Sequence, residues 1–169
     1  MSTAVMTERI AEASPRLKAR IAGGLWLMVI IASLSAFLIR SPLIVRGDAA
    51  ATATNILASE SLFRLGFAAD LVAGVCYMGV TVLLYGLLKP VSSSVSLLAA
   101  FFGLAGVAIR SATSLNDLAT LGLLGSGQYS SAFATSQLQA LALMSLRLSA
   151  QGFNLAMVFF GLRAFWSDT

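Results

Sequence analysis

The chain has 169 residues, 58% of them hydrophobic and only 11% charged, where soluble domains average about 25% charged. With a mean hydropathy of +0.88, too few polar side chains remain to coat a soluble globule, so the composition excludes an ordinary soluble domain. The formal charge of +4 does not indicate a nucleic-acid partner, because Arg9, Arg16, Lys18 and Arg20 cluster ahead of the first apolar run, as in cytoplasmic flanks of membrane proteins that touch anionic headgroups.

Residues 1–20 are mixed-charge and polar and read as a cytoplasmic N-terminal segment, disordered or a short surface helix. Residues 21–166 read as a single transmembrane helical domain. The first span is expected over about 21–40. Its apolar run Ile21–Ile39 is longer than the roughly 7–15 residues of a signal-peptide core, which argues against cleavage. Trp26 stands near the cytoplasmic boundary, and Arg40-Ser41-Pro42 ends the helix because a residue before proline disfavours helical backbone. Gly47-Asp48 then forms a turn, with Asp48 as N-cap of a short helix over Ala49–Ser59. That helix is read as interfacial, lying on the membrane surface, ahead of the alternative of a re-entrant element over a site. Glu60 and Arg64 have the spacing and order of a helical ion pair.

The second span is expected over about 62–88 and closes at Lys89-Pro90. The third is expected over about 94–120, ending by Gly125-Ser126-Gly127. After a polar loop over 128–135, Ser136 and Gln139 have capping-box spacing, so the fourth span is expected over about 137–165. Each run is long enough for the roughly 20 residues that a crossing helix needs. Six Lys and Arg lie on the side of the termini (Arg9, Arg16, Lys18, Arg20, Lys89, Arg163) and three on the other (Arg40, Arg46, Arg64). This bias places both termini in the cytoplasm. The expected fold is all-α, a membrane bundle of four transmembrane helices with an interfacial helix between the first two.

Helical spacing organises the polar residues within the spans. Asp70, Gly74, Tyr77 and Thr81 share one face of span two. Ser96, Ala99, Gly103, Gly106, Arg110, Thr113 and Asp117 share one face of span three. Gln137, Ala140, Met144, Arg147, Gln151 and Asn154 share one face of span four. Small and polar residues face other helices in membranes, so all three faces are expected inward. Counted from the helix ends at 1.5 Å per residue, Asp70, Arg110 and Arg147 lie roughly 9–15 Å inside the outer edge. An ionisable group in hydrocarbon is a functional-site hypothesis by default. The candidate network is therefore Asp70, Arg110, Asp117, Arg147, Gln151, Asn154 and Tyr77, with Asp70 expected to pair with Arg110 or Arg147. A structural network that fixes helix register ranks first, a substrate or proton site second, and snorkelling of Arg110 third.

The chain lacks histidine, which removes Ser-His and Cys-His catalysis and the usual zinc sets. Cys76, in an apolar span, reads as a packing residue. Gly125–Gly127 is no phosphate loop, since no Lys-Ser/Thr follows. Neither a cofactor nor a metal is expected. Membrane lipid, a second copy or another membrane protein are the expected partners, nucleic acid is not, and the sequence leaves any small-molecule substrate unknown. A non-enzymatic packing or accessory protein ranks ahead of a small transporter or proton-coupled carrier using Asp70, Arg110 and Arg147, and an enzyme ranks last.

Several stretches, Ala19–Trp26, Ser41–Ala50, Asn55–Glu60, Phe63–Gly66, Ala69–Leu71, Leu84–Pro90, Gln137–Leu143 and Val158–Leu162, resemble a bacterial family of uncharacterised multi-span membrane proteins, domain-of-unknown-function family four-three-eight-six. The resemblance covers about 19–162. It implies a bacterial inner-membrane protein and supplies no activity, substrate or catalytic residue. Family members are longer, with two further hydrophobic segments beyond the position of Leu162, which would leave inward faces of this chain open to partners or lipid.

Overall fold

The computed structural model describes residues 15–125, 127, 129 and 131–167, with side chains placed as far as Leu162. The expectations for residues 1–14, including Arg9, and for the side chain of Arg163 lie outside the described residues. The described chain is all-α: α1 (Pro15–Arg40), a 3-10 turn at Ser41–Leu43, α2 (Ala49–Ala58), α3 (Glu60–Leu88), α4 (Ser93–Gly125) and α5 (Thr135–Ser167). α1, α3, α4 and α5 are long and apolar enough to cross a membrane. α1 begins earlier than the polar N-terminal segment suggested. Pro15 is pre-organised for a first helical position, and Leu17, Lys18, Ala19 and Arg20 are all good helix formers.

α1 rises, α3 descends, α4 rises and α5 descends. The end carrying α2 is here the top, and the end carrying the α3–α4 turn is the base. α4 packs most extensively on α5, α1 on α3, and the two pairs join along α3 and α4. α1 and α5 barely approach each other. At the base, the Ser96 hydroxyl donates to the Tyr85 carbonyl (2.8 Å) and ties α4 to α3.

At the top the chain turns through Gly47, whose φ of +84° is a left-handed value that suits glycine. Asp48 then caps α2 by accepting from the Ala51 N–H at 2.8 Å. The buried face of α2, Thr52, Ala53 and Ile56, rests on protein. Ile56 joins Phe63, Leu43, Leu121 and Leu146 in the apolar core, so α2 covers the upper end of the bundle. α5 starts two residues before its expected position. Gln137, not Gln139, closes the cap, accepting from the Ala134 N–H at 2.9 Å.

Candidate functional site

Beneath α2, four charged side chains form one cluster. Arg40, the last residue of α1, donates to Asp70 of α3 and to Asp117 of α4, the latter at 2.6 Å. Arg110 of α4 donates to Asp70 at 2.5 Å and stands 3.9 Å from Asp117. It also donates to the Ser149 hydroxyl of α5 at 3.2 Å, and its guanidinium lies over the Phe153 ring, 5.8 Å from the centroid. The cluster therefore joins all four long helices, with formal charge zero. It is nearly dry: the side chains of Arg40, Asp70 and Arg110 are 15–16% exposed and that of Asp117 is 1% exposed.

Local sequence makes the cluster reachable. Arg40 lies across α3 at Gly66, where an added Cβ would stand 2.8 Å from the Arg40 Cγ. Asp70 is one turn further along the same face. Asp117 is seven residues above Arg110 on α4, and because helical side chains lean toward the N-terminus, its carboxylate comes down toward Arg110. Along α3, Asp70 lies about 12 Å below Leu62 and about 28 Å above Lys89 at 1.5 Å per residue, which sets the cluster in the upper third of the bundle.

The other members of the sequence-derived network lie elsewhere. Tyr77 is buried in an aromatic layer below the cluster, its ring 5.5 Å from Trp26 and 4.5 Å from Phe160. Phe160 is seated against Gly106, where any Cβ would collide with its ring. Arg147, Gln151 and Asn154 are exposed and do not join the cluster, contrary to the expectation of an inward stripe on span four. α5 packs through Leu138, Ala142, Leu146, Ser149, Gly152 and Ala156, all buried. These lie on the opposite side of the helix, since residues nine and eleven apart differ by about half a turn and a whole turn respectively. Close approach decides the matter: an added Cβ at Gly152 would run into the Thr113 side chain, and the polar stripe has no glycine to offer that seam. The stripe Gln137, Ala140, Met144, Arg147, Gln151 and Asn154 continues to Val158, every member exposed.

Arg40 is the member that sequence reasoning missed. Its place at the end of an apolar run beside Pro42 gave it the reading of a boundary residue. Charge arithmetic requires it only once the structure has turned Arg147 outward, which leaves two inward acids with Arg110 alone unless Arg40 joins them.

Two cavities flank the aromatic layer. A small one of about 70 Å³ touches Asp70 and Arg110. A larger one of about 620 Å³ lies below, between α1, α3, α4 and α5. Tyr77 and Phe160 border both.

A family model described as Domain of unknown function (DUF4386) matches residues 21–166. No curated protein and no solved structure matches the chain.

Proposed function

The chain belongs to the DUF4386 family, and from that premise we propose that it is a non-enzymatic protein of the bacterial inner membrane, with both termini cytoplasmic, that works by packing α5 against another transmembrane helix, a second copy of itself in the first instance. The charge cluster serves that role as a clasp: it fixes the register of four helices while their outer faces do the binding.

The observation that carries the reading is the outward stripe of α5. Its exposed residues 137, 140, 144, 147, 151, 154 and 158 alternate steps of three and four, the spacing of a helix-pairing seam. Gln151 and Asn154 lie about 18 Å and about 14 Å above the position of Arg163, near the middle of a hydrocarbon core about 30 Å thick. Amides facing lipid there lack hydrogen-bond partners, and polar side chains in membranes bond across helices. An amide both donates and accepts, so the same residue on a second parallel copy completes the pair. Arg147, about 24 Å above Arg163, has a stem long enough to carry its charge up to the headgroups.

The test is energy transfer between donor- and acceptor-labelled copies in lipid vesicles over a range of protein-to-lipid ratios. Wild type should associate above the random-proximity level. The double variant Gln151→Leu/Asn154→Leu should dissociate about tenfold more readily, the effect of losing two interhelical contacts of about 0.6–1 kcal/mol each. Random-level transfer for wild type, or unchanged association in the double variant, contradicts the proposal.

The alternative is a small carrier using Asp70, Arg110 and Arg147. It is favoured by the cavity that touches Asp70 and Arg110, but a volume near 70 Å³ holds only about two waters at roughly 30 Å³ each, and Arg147 lies outside it. A carrier would lose transport in Asp70→Asn while keeping its fold; a clasp would lose stability.

A further inference from the structure

The larger cavity has the features of a binding site rather than a packing fault. At about 620 Å³ it falls within the roughly 300–1,000 Å³ of small-molecule pockets, and well above the few water-sized voids of a close-packed interior. Its walls are apolar: Trp26 on α1, Val80 and Leu84 on α3, Ala99 on α4, Met157 on α5. Small residues create the space. Gly23 borders it, and a Cβ added there would meet nothing within 4 Å. The layer of Trp26, Tyr77 and Phe160 roofs it toward the top. Because α1 and α5 barely approach each other, its side between them is open.

The base of the cavity is bordered by Ala19 and Leu88. Lys18 and Arg20 flank the first in the chain, and Lys89 follows the second. Lys89 holds its ammonium over the ring of Tyr85, 5.9 Å from the centroid, and Tyr85 itself borders the cavity. An apolar slot therefore ends at a basic rim, where Lys89 stands over a ring that lines it, while Lys18 and Arg20, about 100° to either side of Ala19 on the helix, add positive charge around it. A wholly apolar occupant would gain little over the surrounding lipid, since lipid tails are as apolar as the walls. The rim supplies the selectivity that the slot cannot, through attraction of about 1 kcal/mol per basic side chain near an anionic surface. We propose that this cavity seats an acyl chain of an anionic phospholipid drawn from the leaflet at the base, with its phosphate held at Lys89. The site is independent of the α5 seam, which lies on the outer side of the bundle.

Native mass spectrometry of the detergent-purified protein tests this, with phosphatidylglycerol and phosphatidylcholine of identical chains as probes. Wild type should retain phosphatidylglycerol at least about fivefold more strongly, the effect of roughly one rim charge. Gly23→Phe should fill the slot and lower retention of phosphatidylglycerol at least fivefold with the melting temperature unchanged. Lys89→Gln, on the exposed rim, should bring the two lipids closer together. Lipid held only around the outside of the bundle would respond to the rim variant but not to the slot variant. Equal retention of the two lipids by wild type overturns the proposal, as does undiminished retention in folded Gly23→Phe. If Gly23→Phe fails to fold, Gly23→Leu, a smaller filler of the same space, takes its place: undiminished retention of phosphatidylglycerol overturns the proposal and reduced retention supports it.

Discussion

Arg40 is the side chain on which the charge layer depends at the residue scale. It alone touches both carboxylates directly at bonding distance, and removing it would leave Asp117, 1% exposed, with only Arg110 at 3.9 Å. Breaking a buried ion pair from one side costs about 3–5 kcal/mol, because a charge stays behind without its partner. Arg40→Leu and Asp70→Asn should each lower stability far more than Asp48→Asn, which changes a charge but keeps a capping side chain, since Asn caps a helix about as well as Asp. Thermal melting of the three variants in one detergent checks this, and equal melting temperatures would remove the clasp. The pairing of Asp70 with Arg110 follows from periodicity and the cost of unpaired charge. Arg40 does not, because a sequence marks where an apolar run stops but not that a glycine on the next helix, Gly66, lets the last side chain turn inward.

Legibility at the element scale depends on whether a helix has one distinctive face or two. On α3 and α4 the small and polar residues share one face, and that face is inward: Tyr77, Thr81, Ser96, Gly103, Gly106 and Asp117 are all buried. α5 has two faces with helical spacing, one polar and one built from Leu138, Ala142, Ser149, Gly152 and Ala156. Periodicity identifies both without saying which packs. The seam with α4 chooses the face with glycine. Gly152→Ala should therefore overpack the contact with Thr113, a stiff β-branched side chain, and cost about 1–3 kcal/mol. Gly86→Ala is the control, since a Cβ there meets nothing within 4 Å. It should be neutral or gain up to about 1 kcal/mol of helix propensity. Denaturation of the two variants side by side reads the difference.

On the scale of the whole molecule, the bundle is closed toward the top and opens sideways into the larger cavity toward the base. The clasp, the α2 cover and the aromatic layer close the bundle from within, while the outer face of α5 carries arginine and amides where lipid-facing residues are ordinarily apolar. Four membrane-crossing helices were legible from run length alone; the sidedness of α5 needed three dimensions. The most direct measurement is oxidative cross-linking of single-cysteine variants on a Cys76→Ala background, made in the membrane. Cysteines at 147, 151, 154 and 158 should cross-link between copies, while cysteines at 153 and 157, exposed but about 100° or more around the helix from the midline of the stripe, should not. Cross-linking that is uniform around α5, or absent from the stripe, would contradict the assignment of this face as the helix-pairing surface.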